Sequence, residues 1–471
     1  MRPISPLLQL SLLVAALAAL PVASIAFYLL AGGTGATWQH LVDTVLADYI
    51  LNSLRLCLGV AAGVILFGVS TAWLTAMHDF PGRRVFEWAL VLPMAMPAYV
   101  LAYLYTDWLQ FVGPVQTALR EAFGWRRSDY WFPDVRSLGG AAAMFTLVLY
   151  PYVYLLARNA FLERSSGMLE AARTLGQGPW QVFWRISLPL ARPAIAAGVA
   201  LVLMETLADY GTVAYFGVDT FTTGIYRAWF SLGDRTAAAQ LATLLLGFVV
   251  LLLLIERHSR GRASYHNTTG RNRPMPGQRL QGGRTWLARG LNRLVGLGYA
   301  VPGSVIAVGV LIPVTRLDHW LAAGWQQLFG HNPGLLLTGG IAALVYAYLV
   351  RFLSAALQTV EGSLGKITPS MDDAARSLGS GQFAVLRRVH LPILRGSLFT
   401  AGLLVFVDVM KELPATLVMR PFNFDTLATQ TYNLASDERL AEASSAALAI
   451  VVVGLLPLIL LSRQIARGRK V

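Results

Sequence analysis

Long apolar runs recur along the chain, separated by short stretches where glycine, proline and charge gather. Ten runs are long enough to cross a bilayer: near 7–31, 50–77, 84–110, 139–158, 191–217 and 237–256, then near 293–314, 335–357, 396–417 and 440–462. A hydrocarbon core about 30 Å thick needs about 20 apolar residues in a helix, and every backbone polar group inside it must be satisfied locally. The pattern predicts an all-α, polytopic membrane helix bundle of about ten transmembrane helices. The first run, Leu7 to Ala31, is longer than the roughly 7–15 residues of a secretory signal core, so a retained helix is expected.

Two polar stretches between these runs are near-copies of each other. EAARTLGQGPWQVFWRISLPLARP begins at Glu170, and DAARSLGSGQFAVLRRVHLPILRG begins at Asp373; 11 of the 24 positions are identical. The likeness extends on both sides. LPMAMPAYVLAYLY from Leu92 resembles GYAVPGSVIAVGVL from Gly298, setting Pro97 opposite Pro302. METLADYGT from Met204 lies opposite VDVMKELPA from Val407, which pairs Glu205 with Asp408 and Asp209 with Glu412. The chain thus divides into a first repeat over 1–256, a basic linker over 257–292, and a second repeat over 293–471. The second repeat lacks counterparts of the first two helices. Loss of an even number preserves sidedness, so the repeats are parallel.

Composition agrees with this class: of 471 residues, 55% are hydrophobic and 13% are charged, against about 25% charged in soluble domains. The formal charge of +13 is topological. Lys and Arg of short loops stay on the cytoplasmic side. Arg83 and Arg84, the run Arg257 to Arg289, and Arg463, Arg467, Arg469 and Lys470 all fall on one side, together with Arg2 and both hairpins. Both termini and both hairpins are therefore expected in the cytoplasm, and nucleic-acid binding is not expected. Trp125, Tyr130 and Trp131 fall in an outer loop, as an interfacial aromatic belt or a docking surface for an external partner. The lone Cys57 lies in an apolar run and reads as a structural thiol.

Each hairpin reads as two short helices joined by a glycine bend, over about 166–193 and 369–396. Ser370 is placed to cap the first helix of the second copy, with Asp373 completing a capping box, and Gly167 takes the matching place in the first. Gly176 and Gly178, and likewise Gly379 and Gly381, can adopt positive φ and turn the chain. Trp180, Phe183 and Trp184, and in the second copy Phe383 and Leu386, recur at helical spacing as an apolar face. Leu188-Pro189 and Leu391-Pro392 are expected to end the second helix. One amphipathic unit would suggest simple contact with the lipid surface. Two near-copies at equivalent places suggest plugs for a partner with two equivalent sockets.

Glu170-Ala171-Ala172 with Gly176 and Leu188-Pro189 resembles the EAA loop of binding-protein-dependent ABC-importer permeases, and Asp373-Ala374-Ala375 with Gly379 and Leu391-Pro392 resembles a second copy. The fused double permease, the LADYGT stretch and KELPATLVMRPFNFDTLAT from Lys411 are most similar to the ferric-iron type. The two absent helices depart from that type's complete second half. The resemblance implies a type I ABC importer permease fold in the bacterial inner membrane. It also implies that the hairpin residues Glu170, Ala171, Ala172, Gly176, Trp180, Phe183, Leu188 and Pro189 are one ATPase-coupling site. Asp373, Ala374, Ala375, Gly379, Phe383, Leu386, Leu391 and Pro392 would be the other. The implied partners are two ATPase subunits, a periplasmic substrate-binding protein and membrane lipid; no resident cofactor or permanent metal site is implied.

The chain is accordingly not expected to be an enzyme. GSLGKIT at Gly362 lacks the first glycine of a phosphate loop, since Val360 stands there, and no H-E-x-x-H or paired-cysteine motif occurs. His390 reads as a surface residue. Charges within a span cost at least about 2.5–3.5 kcal/mol near its centre, which directs Glu205, Asp209, Asp408 and Glu412 toward an internal path suited to a hard cation such as iron(III). The competing reading pairs Lys411 with Asp408 one turn earlier and leaves the others near the outer interface. Thiamine or a phosphonate is an alternative cargo for the same machinery. An ion-coupled secondary transporter is the rival class, disfavoured by the parallel repeat and twin hairpins.

Overall fold

A computed structural model describes residues 6–31, 35–162, 176–260, 295–296, 298–364 and 367–468, and among these there is no strand. Among the described residues eight helices are long and apolar enough to cross a membrane. A bent pair, Arg83–Ala95 with Ala98–Phe123, supplies a ninth segment, and the shorter apolar helix Leu440–Leu455 a tenth. The ten expected runs each fall on one of these. Three differences of form appear. The run near 84–110 is not one rod but turns through 99°. Its break falls at Pro97, which has extended geometry (φ −60°, ψ 142°) and caps the helix Ala98–Leu109. The run expected at 293–314 is shifted to Gly303–Phe329, because Pro302 likewise starts that helix (φ −56°, ψ 144°). A 3-10 turn precedes each proline, Leu92–Ala95 in one copy and Gly298–Ala300 in the other. The Pro97–Pro302 pairing read from the sequence is thus a pairing of geometry.

The third difference is at the hairpins. Leu188-Pro189 and Leu391-Pro392 do not end their helices, which run on as 29-residue spans, Trp180–Ala208 and Phe383–Lys411. Proline has no N–H to donate, and its ring crowds the carbonyl four residues back, here Arg185 or Arg388. One wider π turn just before each proline, Phe183–Ser187 and Leu386–His390, relieves the crowding.

Packing divides the chain into two units. One gathers Met1–Phe27, Ser264–Phe424 and Val453–Val471; the other gathers Tyr28–Ala263 and Asp425–Val452. This grouping does not follow the contiguous order of the repeats. The first helix goes with the later segment, and Asp425–Val452 with the earlier one.

In the unit containing Tyr28–Ala263, the helices Leu46–Met77 and Leu188–Ala208 both pack on Leu138–Leu162. Close approach depends on missing side chains: a Cβ at Gly68 or Gly198 would come within 2.9 Å of Val153. Small residues at such contacts are what allow helices to associate in lipid, where no hydrophobic force drives them together. In the other unit, Gly303–Phe329 and Leu391–Lys411 pack on Ala342–Leu364. The Pro6–Ala31 helix joins them. The Leu17 carbonyl accepts from the Tyr346 hydroxyl at 2.6 Å, and the Pro21 carbonyl sits against Gly309.

The two spans that follow the hairpins differ in how far they are covered. Of its most apolar stretch, the span Trp180–Ala208 has 39% buried, and Phe383–Lys411 only 11%. The first is covered by Leu46–Met77; among the described residues the second repeat has no equivalent helix. One buried charge in this unit is fully spent on local structure. Asp318 accepts from the backbone N–H of Leu336, Leu337 and Thr338 and from the Thr338 hydroxyl, at 2.7–3.1 Å, and so folds the loop that enters Ala342–Leu364.

Candidate functional site

The two hairpins share their turn. Gly176 and Gly379 both have φ of +80°, a value that glycine reaches without a Cβ clash. In the second copy the turn closes the helix Pro369–Ser377 through Gly379 N–H donating to the Arg376 carbonyl at 2.9 Å and Ser380 N–H to the Ala375 carbonyl at 3.0 Å. Gly178 and Gly381 do not have positive φ. Their carbonyls instead accept the first bond of the next helix, from Val182 N–H and Val385 N–H, both at 3.0 Å. One glycine of each pair turns the chain and the other starts the helix.

Glu170, Ala171, Ala172 and the proposed cap Gly167 lie outside the described residues. Asp373 and Ala374 are exposed, and Ala375 is half-buried. The cap expected at Ser370 stands two residues earlier, at Thr368, because Pro369 begins the helix. Proline favours that first helical position, where its missing N–H costs nothing. A latch unseen in the sequence holds this hairpin together: His390 Nε2 lies 2.6 Å from Asp372 Oδ1, tying the first short helix to the π turn. His390 is therefore an internal fastener of the hairpin.

The aromatic face is divided. Trp180 and Trp184 are exposed, but Phe183 is buried, its ring 4.8 Å from Trp73, which in turn meets Phe161 at 5.4 Å. Trp180 stacks on Phe183 at 5.5 Å. Phe183 therefore anchors the hairpin, and Trp180 and Trp184 form its outer surface. In the second copy Phe383 and Leu386 are both exposed. Leu386 matches Phe183, but the Trp73 socket belongs to Leu46–Met77, which has no second copy among the described residues. The neighbouring Leu188 is half-buried, Leu391 exposed, and Pro189 and Pro392 sit at the start of their long helices.

At the far ends of those helices lie the paired acids. Asp209 and Glu412 occupy the same position, immediately after Leu188–Ala208 and Leu391–Lys411. Both turn onto the short helix that follows. Asp209 Oδ1 accepts from Thr212 N–H at 2.8 Å, and Oδ2 from the Thr212 hydroxyl at 3.1 Å. Glu412 Oε1 accepts from Ala415 N–H at 2.9 Å, and Oε2 from Thr416 N–H at 3.0 Å and its hydroxyl at 2.6 Å. A break inside a membrane leaves free N–H groups at the new helix start. These carboxylates satisfy them.

Glu412 is also paired with Arg351, whose Nη1 lies 2.7 Å from Oε1, with both side chains nearly excluded from solvent. Arg351 was not singled out in the sequence, since a lone arginine in an apolar run gives no sign of its partner 61 positions on. Asp408 and Lys411 are an ion pair at 3.0 Å, one turn apart as in the competing reading. Glu205 is half-buried one turn before its break. The repeat also reaches farther than the sequence comparison carried it. Thr220 with Thr223 and Thr426 with Thr429 form matching capping boxes, each opening a short helix. Among the described residues no cluster of three His, Cys, Asp or Glu could hold a metal ion.

Residues 64–261 match the family model described as binding-protein-dependent transport system inner membrane component. The Fe(3+)-transport system permease protein FbpB 2 of Haemophilus influenzae is 24% identical over 89% of this chain and 90% of its own length. The molybdenum transport system permease protein ModB of Escherichia coli K12 is 29% identical over 46% of this chain and 99% of its own. The sulfate transport system permease protein CysW of Synechocystis is 32% identical over 32% of this chain and 51% of its own. One relative spans both repeats, whereas the molybdenum permease in its entirety matches about one repeat's length. With the twin hairpins and the membrane bundle, these likenesses are those of an ABC importer permease, in which residues 64–261 carry the binding-protein-dependent inner membrane component family.

Proposed function

We propose that this permease imports iron(III), delivered by a periplasmic binding protein and driven by two separate ATPase subunits that dock on its hairpins. The observation that carries the docking assignment is the repeated turn: φ of +80° at Gly176 and at Gly379, each followed by a helix start and a π turn. Two copies of one shape match two copies of one partner. Each hairpin continues without interruption into a membrane span, so a push on the short helix moves a 29-residue rod.

In this reading both termini, the basic stretch and the hairpins face the cytoplasm of a bacterial inner membrane, following the placement of Arg and Lys. The coupling residues are those of the two hairpins, with Phe183 as anchor and Trp180, Trp184 and Phe383 as contact surface. Glu205 and Asp408 line the path, while Asp209 and Glu412 shape the breaks that bound it. Acidic oxygen suits a hard cation. Iron is favoured by the relative that spans both repeats. Molybdate is the second reading, because a molybdenum permease matches over 99% of its own length.

Affinity capture of the tagged chain from native membranes tests the assignment. The expected companions are one ATPase type and one binding protein whose fluorescence responds to iron(III). A binding protein that answers to molybdate or sulfate alone would replace the cargo. Capture without any ATPase would remove the docking role.

A further inference from the structure

A cavity of about 790 Å³ lies between the helix Ala98–Leu109 and the start of Leu440–Gly468, with every lining residue in the same packing unit. Its walls change character along the helices. Asp107, Arg136 and Glu438 stand at the helix ends; Val100, Leu104, Leu448 and Val451 stand deeper in the spans. Leu104 and Leu448 are exposed, which opens the cavity sideways to the bilayer.

Three features mark it as built for a ligand. Tyr103 lines it and is only 4% exposed, yet its hydroxyl has no hydrogen-bond partner among the described residues. A buried hydroxyl is rarely left in that state. Arg136 lies over the Tyr215 ring at 4.7 Å and donates to the Tyr215 hydroxyl at 3.2 Å, which holds the guanidinium at the mouth with other donors to spare. Glu438 has φ of +60°, a left-handed conformation that side chains disfavour. The corresponding helix end in the first repeat carries Gly233, at φ +63°. A glutamate at a glycine position places a carboxylate at the cavity mouth against the local preference, as happens at functional sites.

The repeat accounts for the apolar depth. Gly309 stands at the same distance after Pro302 as Leu104 after Pro97, and in its own unit Gly309 is covered by the Pro6–Ala31 helix. Among the described residues the second repeat offers no such helix to lay on Leu104. We infer that a phospholipid with a primary-ammonium headgroup occupies this cavity. Its phosphate meets Arg136, its ammonium meets Asp107 and Glu438, and an acyl chain runs along Leu104 and Leu448. One cation beside two acids complements a zwitterion better than a simple anion, and the gradient from charged mouth to apolar wall complements an amphiphile.

Native mass spectrometry of the full chain, released from nanodiscs of equal phosphatidylethanolamine and phosphatidylcholine, tests this. The expected result is one retained phosphatidylethanolamine, preferred about tenfold, since a quaternary ammonium cannot donate the charge-assisted hydrogen bonds. Glu438→Gly relaxes the backbone, so it should fold at least as well as the parent while the preference falls to about twofold or less. Leu104→Trp should cut total lipid retention by filling the apolar wall. Equal retention of both lipids by the parent, or an unchanged preference in Glu438→Gly, overturns the assignment. Displacement of the lipid by free phosphoethanolamine at millimolar levels overturns it too, because the acyl chain would then contribute nothing.

Discussion

Glu412→Gln separates a structural carboxylate from one that handles cargo. The wild-type side chain accepts four hydrogen bonds, from Arg351, Ala415 N–H, Thr416 N–H and the Thr416 hydroxyl, and is 1% exposed. An amide keeps one accepting oxygen and points an NH₂ group at donors on the other side. At least one backbone N–H or the guanidinium is then left facing a donor. Hydrogen bonds to charged groups are worth about 1.5–3 kcal/mol, and removing one partner of a buried ion pair costs about 3–5 kcal/mol. These overlap, so the expected loss is about 3–5 kcal/mol, or a fall of roughly 10 °C in melting temperature for a unit of this size. The assay is thermal unfolding of purified protein in detergent. Adding Arg351→Met to Glu412→Gln should recover part of the loss, because no uncompensated buried charge remains. A Glu412→Gln variant that melts like the parent but takes up no substrate would refute this reasoning and move Glu412 into the path.

Three further outcomes are expected. Gly176→Pro with Gly379→Pro sets φ near −65° where the turn has +80°, and should abolish ATPase co-purification while the spans still insert; the matching alanine pair should weaken recruitment only partly. Phe183→Ala should cost about 3–5 kcal/mol of stability by emptying its place against Trp73, whereas Trp180→Ala should leave stability within about 1 kcal/mol and lower ATPase affinity, read by thermal unfolding and by binding titration. Glu205→Gln with Asp408→Asn should slow uptake at least severalfold with normal assembly; unchanged uptake takes both residues out of the path.

The membrane bundle and the repeat were legible because they rest on the two strongest signals, apolar run length and self-similarity. The pairing of Pro97 with Pro302, and of Asp209 with Glu412, proved to be a pairing of identical places in the structure, since both copies face the same backbone problem. Less legible was anything decided by a neighbour distant in sequence. Phe183 and Leu386 occupy one position in the repeat, but only Phe183 is buried, because Trp73 comes from a helix with no counterpart among the described residues of the second repeat. Arg351 gave no hint of Glu412, nor Asp372 of His390. Leu-Pro read as a helix end by propensity, and a π turn carried the helix through instead. The bend at Pro97 was hidden inside a run of suitable length.

Import by this permease turns on where its energy comes from. Proteoliposomes holding this chain with its co-purified ATPase and binding protein, loaded with ATP and then compared without it, measure that directly. Uptake should require ATP inside, persist when proton and sodium gradients are collapsed, and vanish with the double proline variant although the ATPase is present. Uptake that continues without nucleotide while an ion gradient is held would contradict it.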